Sequence, residues 1–290
     1  MSASEDGPAA VQPLPLRLAL RRVTEDILAT LEWRTPGWLT YWGAVGLCFF
    51  LWSLALLVWA YQIYHGLHIT GLLHPVMWGA YITTFVFWIG IAHSGTLISA
   101  ILFLFRAQWR TPIARSAETM TIVAIATAGL FPIVHLGRAW RFYWLIPYPN
   151  ERGLWVNFSS PLIWDAFAIG TYFVASVRFW FLGLIPDFAS LRDRSAGWRA
   201  WIFERLAVGW RGTAHEWRHF RSAYTLLAGL ITALVVSVHS IVSWDFAVAV
   251  VPGWHSTIFA PYFVAGAIFS GLAMILTLII PGRFLLGIRE

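Results

Sequence analysis

Lysine is absent from this 290-residue chain, cysteine occurs once, and charged residues make up only 12% of the sequence. Soluble globular domains carry about 25% charged residues, so this scarcity argues against a water-soluble protein. The single cysteine, Cys48, excludes an intramolecular disulfide, a four-cysteine iron–sulfur site and a C-x-x-C-H haem attachment. Any redox role must therefore use a cofactor held by other side chains, or centres on another subunit.

Apolar residues, in contrast, are abundant: 59% of the chain is hydrophobic, and the mean hydropathy is +0.67. About 20 apolar residues suffice for a helix to cross a hydrocarbon core of roughly 30 Å. Six segments meet this requirement, at 39–64, 76–105, 119–146, 162–185, 223–248 and 258–280. They lack the alternation of barrel strands, and backbone groups in lipid need internal partners. The sequence therefore predicts an all-α, polytopic transmembrane bundle with six spans.

Arginine placement predicts the orientation of these spans. Basic residues occur in the N-terminal tail, the second and fourth loops and the C-terminus: Arg17, Arg21, Arg22, Arg34, Arg106, Arg110, Arg115, Arg192, Arg194, Arg199, Arg205, Arg211, Arg218, Arg283 and Arg289. The first and fifth loops contain no arginine. By the positive-inside rule, both termini are cytoplasmic. Because the arginines mark topology rather than a separate basic patch, no nucleic-acid partner is expected.

The chain divides into four parts on this reading. Residues 1–35 form a cytoplasmic tail with a short amphipathic stretch at 16–31, and 36–187 hold spans one to four. Residues 188–221 form an inner loop rich in Arg and Trp, and 222–290 hold the last two spans and the C-terminal end. In the loop, Trp198, Trp201, Ile202 and Leu206 recur at helical spacing, as in an interfacial helix. A solvated Arg-rich loop is the alternative.

Ionisable residues inside the spans are the main functional signal, because each costs about 2.5–3.5 kcal/mol on insertion scales. Six of them converge from three consecutive spans on the outer third of the bilayer: His135, Arg138, Arg141, Asp165, His239 and Asp245. His135 and Arg138 are spaced to share one helix face. His93 lies nearer the middle of the second span, and Arg178 lies in the inner half of the fourth.

Each of these residues also has a structural interpretation. Arg138, Arg141 and Asp245 could anchor span ends by reaching the interface. Asp165 could cap its helix, since it follows Pro161 closely. His93, flanked by small residues, could hydrogen-bond to a neighbouring helix. The shared depth of the set favours a functional site over these individual explanations.

A quinol site needs an apolar wall, a hydrogen-bond acceptor for the hydroxyl group, and a carboxylate or His that carries the proton away. His135 paired with Asp165 meets this requirement. A carboxylate partner favours the protonated form of a His, so the His can take a proton and pass it on. Two alternatives are haem b ligation by His135 and His239, and a transporter with a polar midplane site. The sequence shows neither an inverted repeat nor a pair of broken helices to support a transporter.

Four strings in this region resemble one family of membrane proteins. They are IVHLGRAWRFYW at 133–144, SPLIWD at 160–165, VHSIVSWDF at 238–246 and PGWHST at 252–257. From about residue 36 to the end, the chain resembles the NrfD/PsrC family of membrane quinol subunits. The likeness is closest to the ActC subunit of bacterial alternative complex III. The resemblance implies a bundle of about ten spans in two related halves, of which the six spans here correspond to the N-terminal part.

The resemblance implies oxidation of menaquinol near the outer face of a bacterial inner membrane, in a respiratory or photosynthetic complex. His135 and Asp165 match the quinol-binding pair, with Arg138 and Arg141 in the same site. His93, Arg178, His239 and Asp245 match positions that serve proton transfer. The implied partners are an iron–sulfur subunit at the outer face, multihaem cytochrome c subunits and a second NrfD-like membrane subunit. No metal, haem or iron–sulfur cluster is expected within the chain itself.

Overall fold

A computed structural model describes residues 38–72, 79–146, 161–249 and 255–285. Within these ranges it contains seven α-helices and no β-strand: α1 (Trp38–His65), α2 (Ala80–Leu104), α3 (Thr111–His135), α4 (Pro161–Arg192), α5 (Trp198–Leu206), α6 (Ala214–Ala247) and α7 (Phe259–Leu285). All except α5 are long and apolar enough to cross a membrane. The predicted all-α bundle with six spans is therefore confirmed. The predicted tail, with its amphipathic stretch at 16–31, lies outside the described residues.

Helix α2 is the central helix, in contact with α3, α6 and α7. Every residue from Ile89 to Ala100 is buried. This stretch includes Gly90, Ala92, Ser94 and Gly95, and small residues let neighbouring membrane helices approach closely. Helix α4 packs against α3 and α6, while the short α5 lies against the inner end of α4.

Helix α1 lies at the edge of the bundle, and most of its apolar side chains face outward, where lipid would surround them. Gln62, near its C-terminal end, is the exception and is only 2% exposed. The Gln62 side-chain nitrogen donates to the Val134 carbonyl at 3.4 Å, and the Tyr81 hydroxyl donates to the Gln62 side-chain oxygen. These two hydrogen bonds attach the end of α1 to α3 and α2.

The bounds predicted for the third span, 119–146, are wrong at both ends. Helix α3 begins at Thr111, where a proline in the first turn needs no hydrogen-bond partner for its nitrogen. It ends at His135 because Gly137 has a φ of +72°, a left-handed conformation that terminates helices. A 3-10 turn follows at Ala139–Leu145. Arg138 therefore lies outside the helix, and the predicted helix face shared with His135 does not exist.

The region assigned to an inner loop, 188–221, is largely helical. It holds the end of α4, all of α5 and the first turns of α6. Helix α6 begins nine residues before the predicted start at 223, because Thr213 and Glu216 form a capping box. The Glu216 amide donates to Thr213 Oγ1 at 3.2 Å, and the Thr213 amide donates to the Glu216 carboxylate at 2.8 Å. Trp198 and Trp201 are exposed on α5. The helix itself is confirmed, and its position in the membrane interface stays a prediction.

Replacement of Gly271 by Ala tests the close packing of α7 on α2. A Cβ atom at this position would overlap the side chain of Ser94 on α2, so the two helices would have to separate. We expect a destabilisation of about 1–3 kcal/mol, typical of overpacking, measured by thermal unfolding in detergent. Gly266→Ala on the same helix is the control, because a Cβ there meets nothing within 4 Å. Equal stability of the two variants would contradict the observed packing.

Candidate functional site

Two carboxyl groups meet at the end of the bundle that the arginine pattern predicts to be outer, which is called the outer end below. Asp165 lies in the second turn of α4 and is 7% exposed, and Asp245 lies two residues before the end of α6. The two carboxyl groups lie close enough to interact with each other across the contact of α4 with α6. Two carboxylates side by side repel each other, whereas a proton on either group turns the contact into a hydrogen bond. The pair is therefore a place where a proton can be held between two helices.

The capping interpretation of Asp165 does not hold, because α4 begins four residues earlier, at Pro161. Asp165 Oδ1 is buried and has no hydrogen-bond partner among the described residues. Next to the pair, the Trp164 and Trp244 rings meet edge to face, with centroids 6.1 Å apart. The site thus combines an aromatic pair with a buried carboxyl oxygen that has no hydrogen-bond partner among the described residues.

His135, the last residue of α3, lies close enough to Asp245 for an electrostatic interaction. Its Nδ1 lies 2.8 Å from the Phe131 carbonyl oxygen. A carbonyl oxygen only accepts, so Nδ1 carries the proton, and in the neutral ring Nε2 is left as an acceptor. Asp245 thus interacts with both residues of the predicted pair, His135 and Asp165, and the three side chains form one group.

Arg138 and Arg141 lie on the turn that follows α3. Arg138 is exposed and Arg141 is half-buried. The left-handed Gly137 redirects the chain before either residue. Their predicted place inside the third span is therefore wrong, although both remain at the outer end of the bundle, near His135.

A second polar group lies deeper, between α2, α4 and α6. His93 Nδ1 is 3.1 Å from His239 Nδ1, and the two rings are 1% and 2% exposed. The His93 ring stacks on the Tyr172 ring at a centroid distance of 4.5 Å. The Tyr172 hydroxyl donates to Thr96 Oγ1 at 2.9 Å, and Thr96 Oγ1 donates to Thr121 Oγ1 at 3.1 Å. Imidazole and hydroxyl groups from four helices thus form one buried cluster.

This arrangement differs from the haem alternative, which pairs His239 with His135. Here the ring nitrogen nearest to His239 belongs to His93. Two nitrogens on opposite sides of one metal ion lie about 4 Å apart, at metal–nitrogen distances of about 2.0–2.1 Å. The observed 3.1 Å separation is that of a direct hydrogen bond. Within the described ranges, no group of three or more His, Cys, Asp or Glu residues could hold a metal ion.

Arg178 is not part of the interior, contrary to the prediction of a buried arginine. It is exposed on the outward face of α4, four residues after the exposed Val174. The buried face of this helix instead carries Tyr172, Ala175 and Phe179. Residue 178 falls outside that face because of the helical period, so Arg178 cannot join the His93 cluster.

A third polar group, which the sequence pattern did not reveal, lies at the inner end of the bundle. Glu118 on α3 is 2% exposed, and its carboxylate accepts from the Tyr224 hydroxyl at 2.8 Å. Arg115 binds the same carboxylate at 3.0 Å and Asp187 at 3.1 Å. The predicted span began at residue 119, which left Glu118 just outside it. The proline at the true start of α3 was the signal that could have corrected this boundary.

These features define a class: a polytopic helical membrane protein whose interior holds ionisable groups at three depths. The chain belongs to the NrfD family, because residues 68–285 match the family model described as polysulphide reductase, NrfD. The resemblance to this family is therefore confirmed. Its particular closeness to ActC of alternative complex III stays a prediction.

Three relatives illustrate the family. A Halobacterium salinarum protein named as a membrane subunit of dimethyl sulfoxide reductase is 32% identical, over 83% of this chain and 52% of its own length. A subunit of selenate reductase from Mesobacillus selenatarsenatis is 23% identical, over 75% and 51%. The Hdr-like menaquinol oxidoreductase integral membrane subunit of Archaeoglobus fulgidus is 24% identical, over 77% and 46%. The chain thus spans about half the length of the relatives it matches.

Removal of the Tyr172 hydroxyl tests the buried cluster. Tyr172→Phe removes the one hydroxyl hydrogen that the Ala92 carbonyl, at 2.7 Å, and Thr96 Oγ1, at 2.9 Å, share. Both groups keep a hydrogen bond with Thr121, so we expect a loss of about 0.5–1.5 kcal/mol, the net contribution of one hydrogen bond, measured by thermal unfolding. Tyr64→Phe is the matched control, because Tyr64 is 85% exposed on α1. A Tyr172→Phe variant as stable as this control would show that the cluster contributes nothing.

Proposed function

We propose that this chain is the menaquinol-binding and menaquinol-oxidising membrane subunit of a quinol:electron-acceptor oxidoreductase. The supporting observation is the geometry at the outer end of the bundle. There the Nε2 acceptor of His135 lies next to a carboxyl pair, and one oxygen of that pair, Asp165 Oδ1, is buried without a partner. The family relationship agrees with this role, since one relative is named as a menaquinol oxidoreductase subunit.

Oxidation of a quinol to a quinone releases two protons and two electrons. His135 Nε2 accepts the proton of one hydroxyl group, since its Nδ1–H is already engaged with the Phe131 carbonyl. Asp165 Oδ1 accepts a hydrogen bond from the quinol and opens a route for a proton into the carboxyl pair. The Trp164 and Trp244 rings supply apolar surface for the quinol ring. Arg138 and Arg141 lie on the turn beside the site.

The electrons leave through a partner, because one cysteine cannot ligate an iron–sulfur cluster. We assign this role to an iron–sulfur subunit at the outer face, followed by multihaem cytochrome c subunits. Together with a second NrfD-like membrane protein they form a complex like alternative complex III in a bacterial inner membrane, with the N-terminus of this chain in the cytoplasm. His93, His239 and Asp245 serve proton transfer in this scheme, whereas the outward position of Arg178 removes it from the interior route.

Replacement of His135 tests the proposed proton acceptor. In His135→Gln, position 135 no longer carries a group that can take the proton of the first quinol hydroxyl, so we expect quinol oxidation by the assembled complex to fall by about 100-fold or more. The rate is measured spectrophotometrically with a soluble menaquinol analogue. His65→Gln is the control, because His65 is an exposed imidazole at the end of α1. Unchanged turnover of the assembled His135→Gln complex would refute the assignment.

The carboxyl pair is tested separately with Asp165→Asn. The amide keeps the size and a hydrogen bond to Asp245, but it cannot accept a proton at the operating pH. We expect the maximal rate to fall more than the apparent quinol affinity, because the lost function is proton acceptance rather than binding. Steady-state rates across a range of quinol concentrations measure both quantities. A variant with weaker affinity and an unchanged maximal rate would restrict Asp165 to binding.

A further inference from the structure

Two histidines lie side by side on the first two turns of α6, at the inner end of the bundle. His215 and His219 are four residues apart, so their side chains share one face of the helix. His219 Nε2 lies 3.0 Å from His215 Nε2, and the ring centroids are 4.3 Å apart. Both side chains are exposed, so ions from the surrounding solution can reach them.

The separation of the two nitrogens suits a shared metal ion as well as a hydrogen bond. Imidazole nitrogens bind zinc at about 2.0–2.1 Å, so two nitrogens 3.0 Å apart would meet at one ion with an angle of about 95°. This angle lies between that of neighbouring ligands in octahedral coordination, about 90°, and that of tetrahedral coordination, about 110°. A hydrogen bond between two exposed imidazoles, in contrast, competes with water and holds the rings only weakly.

The sequence around the pair has the form of a zinc-binding motif. Residues 215–219 read HEWRH, which fits H-E-x-x-H, where two His on one helix face hold zinc and the Glu acts as a general base. Here the carboxylate of Glu216 is engaged in the helix cap, because it accepts from the Thr213 amide at 2.8 Å and from Thr213 Oγ1 at 3.0 Å. The pair therefore offers the chelating part of the motif without its hydrolytic base.

The buried pair of His93 and His239 has a similar separation of 3.1 Å but a different environment. Its rings are 1% and 2% exposed, so a divalent ion there would lose its water shell inside an apolar bundle, which is costly without anionic ligands. At the exposed pair, an ion keeps water on its remaining coordination positions. Metal binding is therefore favoured at His215 and His219 rather than in the interior.

The charges around the exposed pair are mixed. Arg218, Arg221 and the N-terminal end of the helix dipole repel a cation, whereas the Glu216 carboxylate attracts it. Water and salt weaken all of these interactions at an exposed site. Coordination by imidazole nitrogen is decisive instead, and it favours zinc, copper and nickel over magnesium and calcium, which prefer oxygen ligands.

We propose that His215 and His219 form a two-nitrogen chelate for a divalent transition-metal ion such as Zn²⁺. Within the described ranges, no third His, Cys, Asp or Glu residue joins the pair, so water fills the remaining coordination positions. The bound ion connects the first two turns of α6 and fixes the start of this helix. His219 precedes Asp245 by 26 positions, about 39 Å at 1.5 Å per residue, so the site is independent of the proposed quinol function.

Titration of the full chain with Zn²⁺ tests the proposal. The chain is purified in a neutral detergent without a polyhistidine tag, freed of metal with EDTA and transferred to a buffer that does not bind metals. We expect calorimetry to show one saturable Zn²⁺ site per chain. His215→Gln and His219→Gln should each weaken the affinity by at least about tenfold, because each removes the gain from a second ligand in the same molecule.

Two controls separate this site from other metal binding. His65→Gln changes another exposed imidazole, at the end of α1, and should bind Zn²⁺ like the unaltered chain. An excess of Mg²⁺ should not displace Zn²⁺, because Mg²⁺ prefers oxygen ligands. Zn²⁺ should also raise the unfolding temperature of the unaltered chain and of the control, but not that of His215→Gln or His219→Gln, since an ion that binds the folded helix stabilises it.

Loss of the ligand can be distinguished from loss of structure, because both histidines are exposed and neither substitution removes packing. In EDTA, all variants should therefore unfold at the same temperature as the unaltered chain. Absence of saturable Zn²⁺ binding in the unaltered chain, an unchanged affinity in His215→Gln or His219→Gln, displacement by Mg²⁺, or an equal loss in His65→Gln would each overturn the proposal. None of these results bears on quinol oxidation, which is measured in the assembled complex.

Discussion

The absence of hydrogen-bond partners in lipid is the constraint on which this structure depends. A polar group inside the bundle is costly unless it finds a partner within the protein, because the hydrocarbon offers none. The Tyr172 hydroxyl meets this requirement by joining α4 to α2 through the Ala92 carbonyl and Thr96. The packing of small residues along α2 brings the helices close enough for such contacts. The interhelical contacts that hold the bundle together therefore also fix the positions of the ionisable groups.

Composition and hydropathy were sufficient to predict the fold, because a membrane span requires a long apolar segment that few soluble sequences contain. Helix ends were harder to predict. Apolar and aromatic residues continue past His135 into the 3-10 turn despite two arginines, whereas the helix stops at the conformation of Gly137. At the other end, the predicted start at residue 119 left Glu118 just outside the third span. Its partner Tyr224 lies 106 positions away, and sequence alone cannot reveal that contact.

The sequence also predicted the outer site only in part. Depth arguments selected His135, Asp165, His239 and Asp245 as interior or near-interior residues, and the structure agrees, because depth follows from counting along a helix. Which residue faces which depends on helix rotation and packing, and here the structure adds contacts that the sequence did not predict. Asp245 contacts Asp165, and His93 contacts His239, whereas the shared role of His135 and Asp165 stays a prediction.

The same limit explains Arg178. It lies only one position from the buried Phe179, and that single step places it on the outward face of α4. Hydropathy averaged over a span does not distinguish the two positions, because α4 is apolar on both its inner and its outward face. Which face of such a helix points into the bundle can therefore be determined only from its contacts with the neighbouring helices.

Helix α6 is one unbroken element of 34 residues, about 51 Å long at 1.5 Å per residue. This length exceeds the roughly 30 Å of the hydrocarbon core, so the helix reaches beyond the core or crosses it at a tilt. It carries Asp245 at one end, His239 in between and Tyr224 towards the other end. Because a helix is stiff along its axis, any change of tilt at the Asp245 end of α6 also moves the Tyr224 hydroxyl, which contacts Glu118. One rigid element therefore connects the polar groups at the two ends of the bundle mechanically.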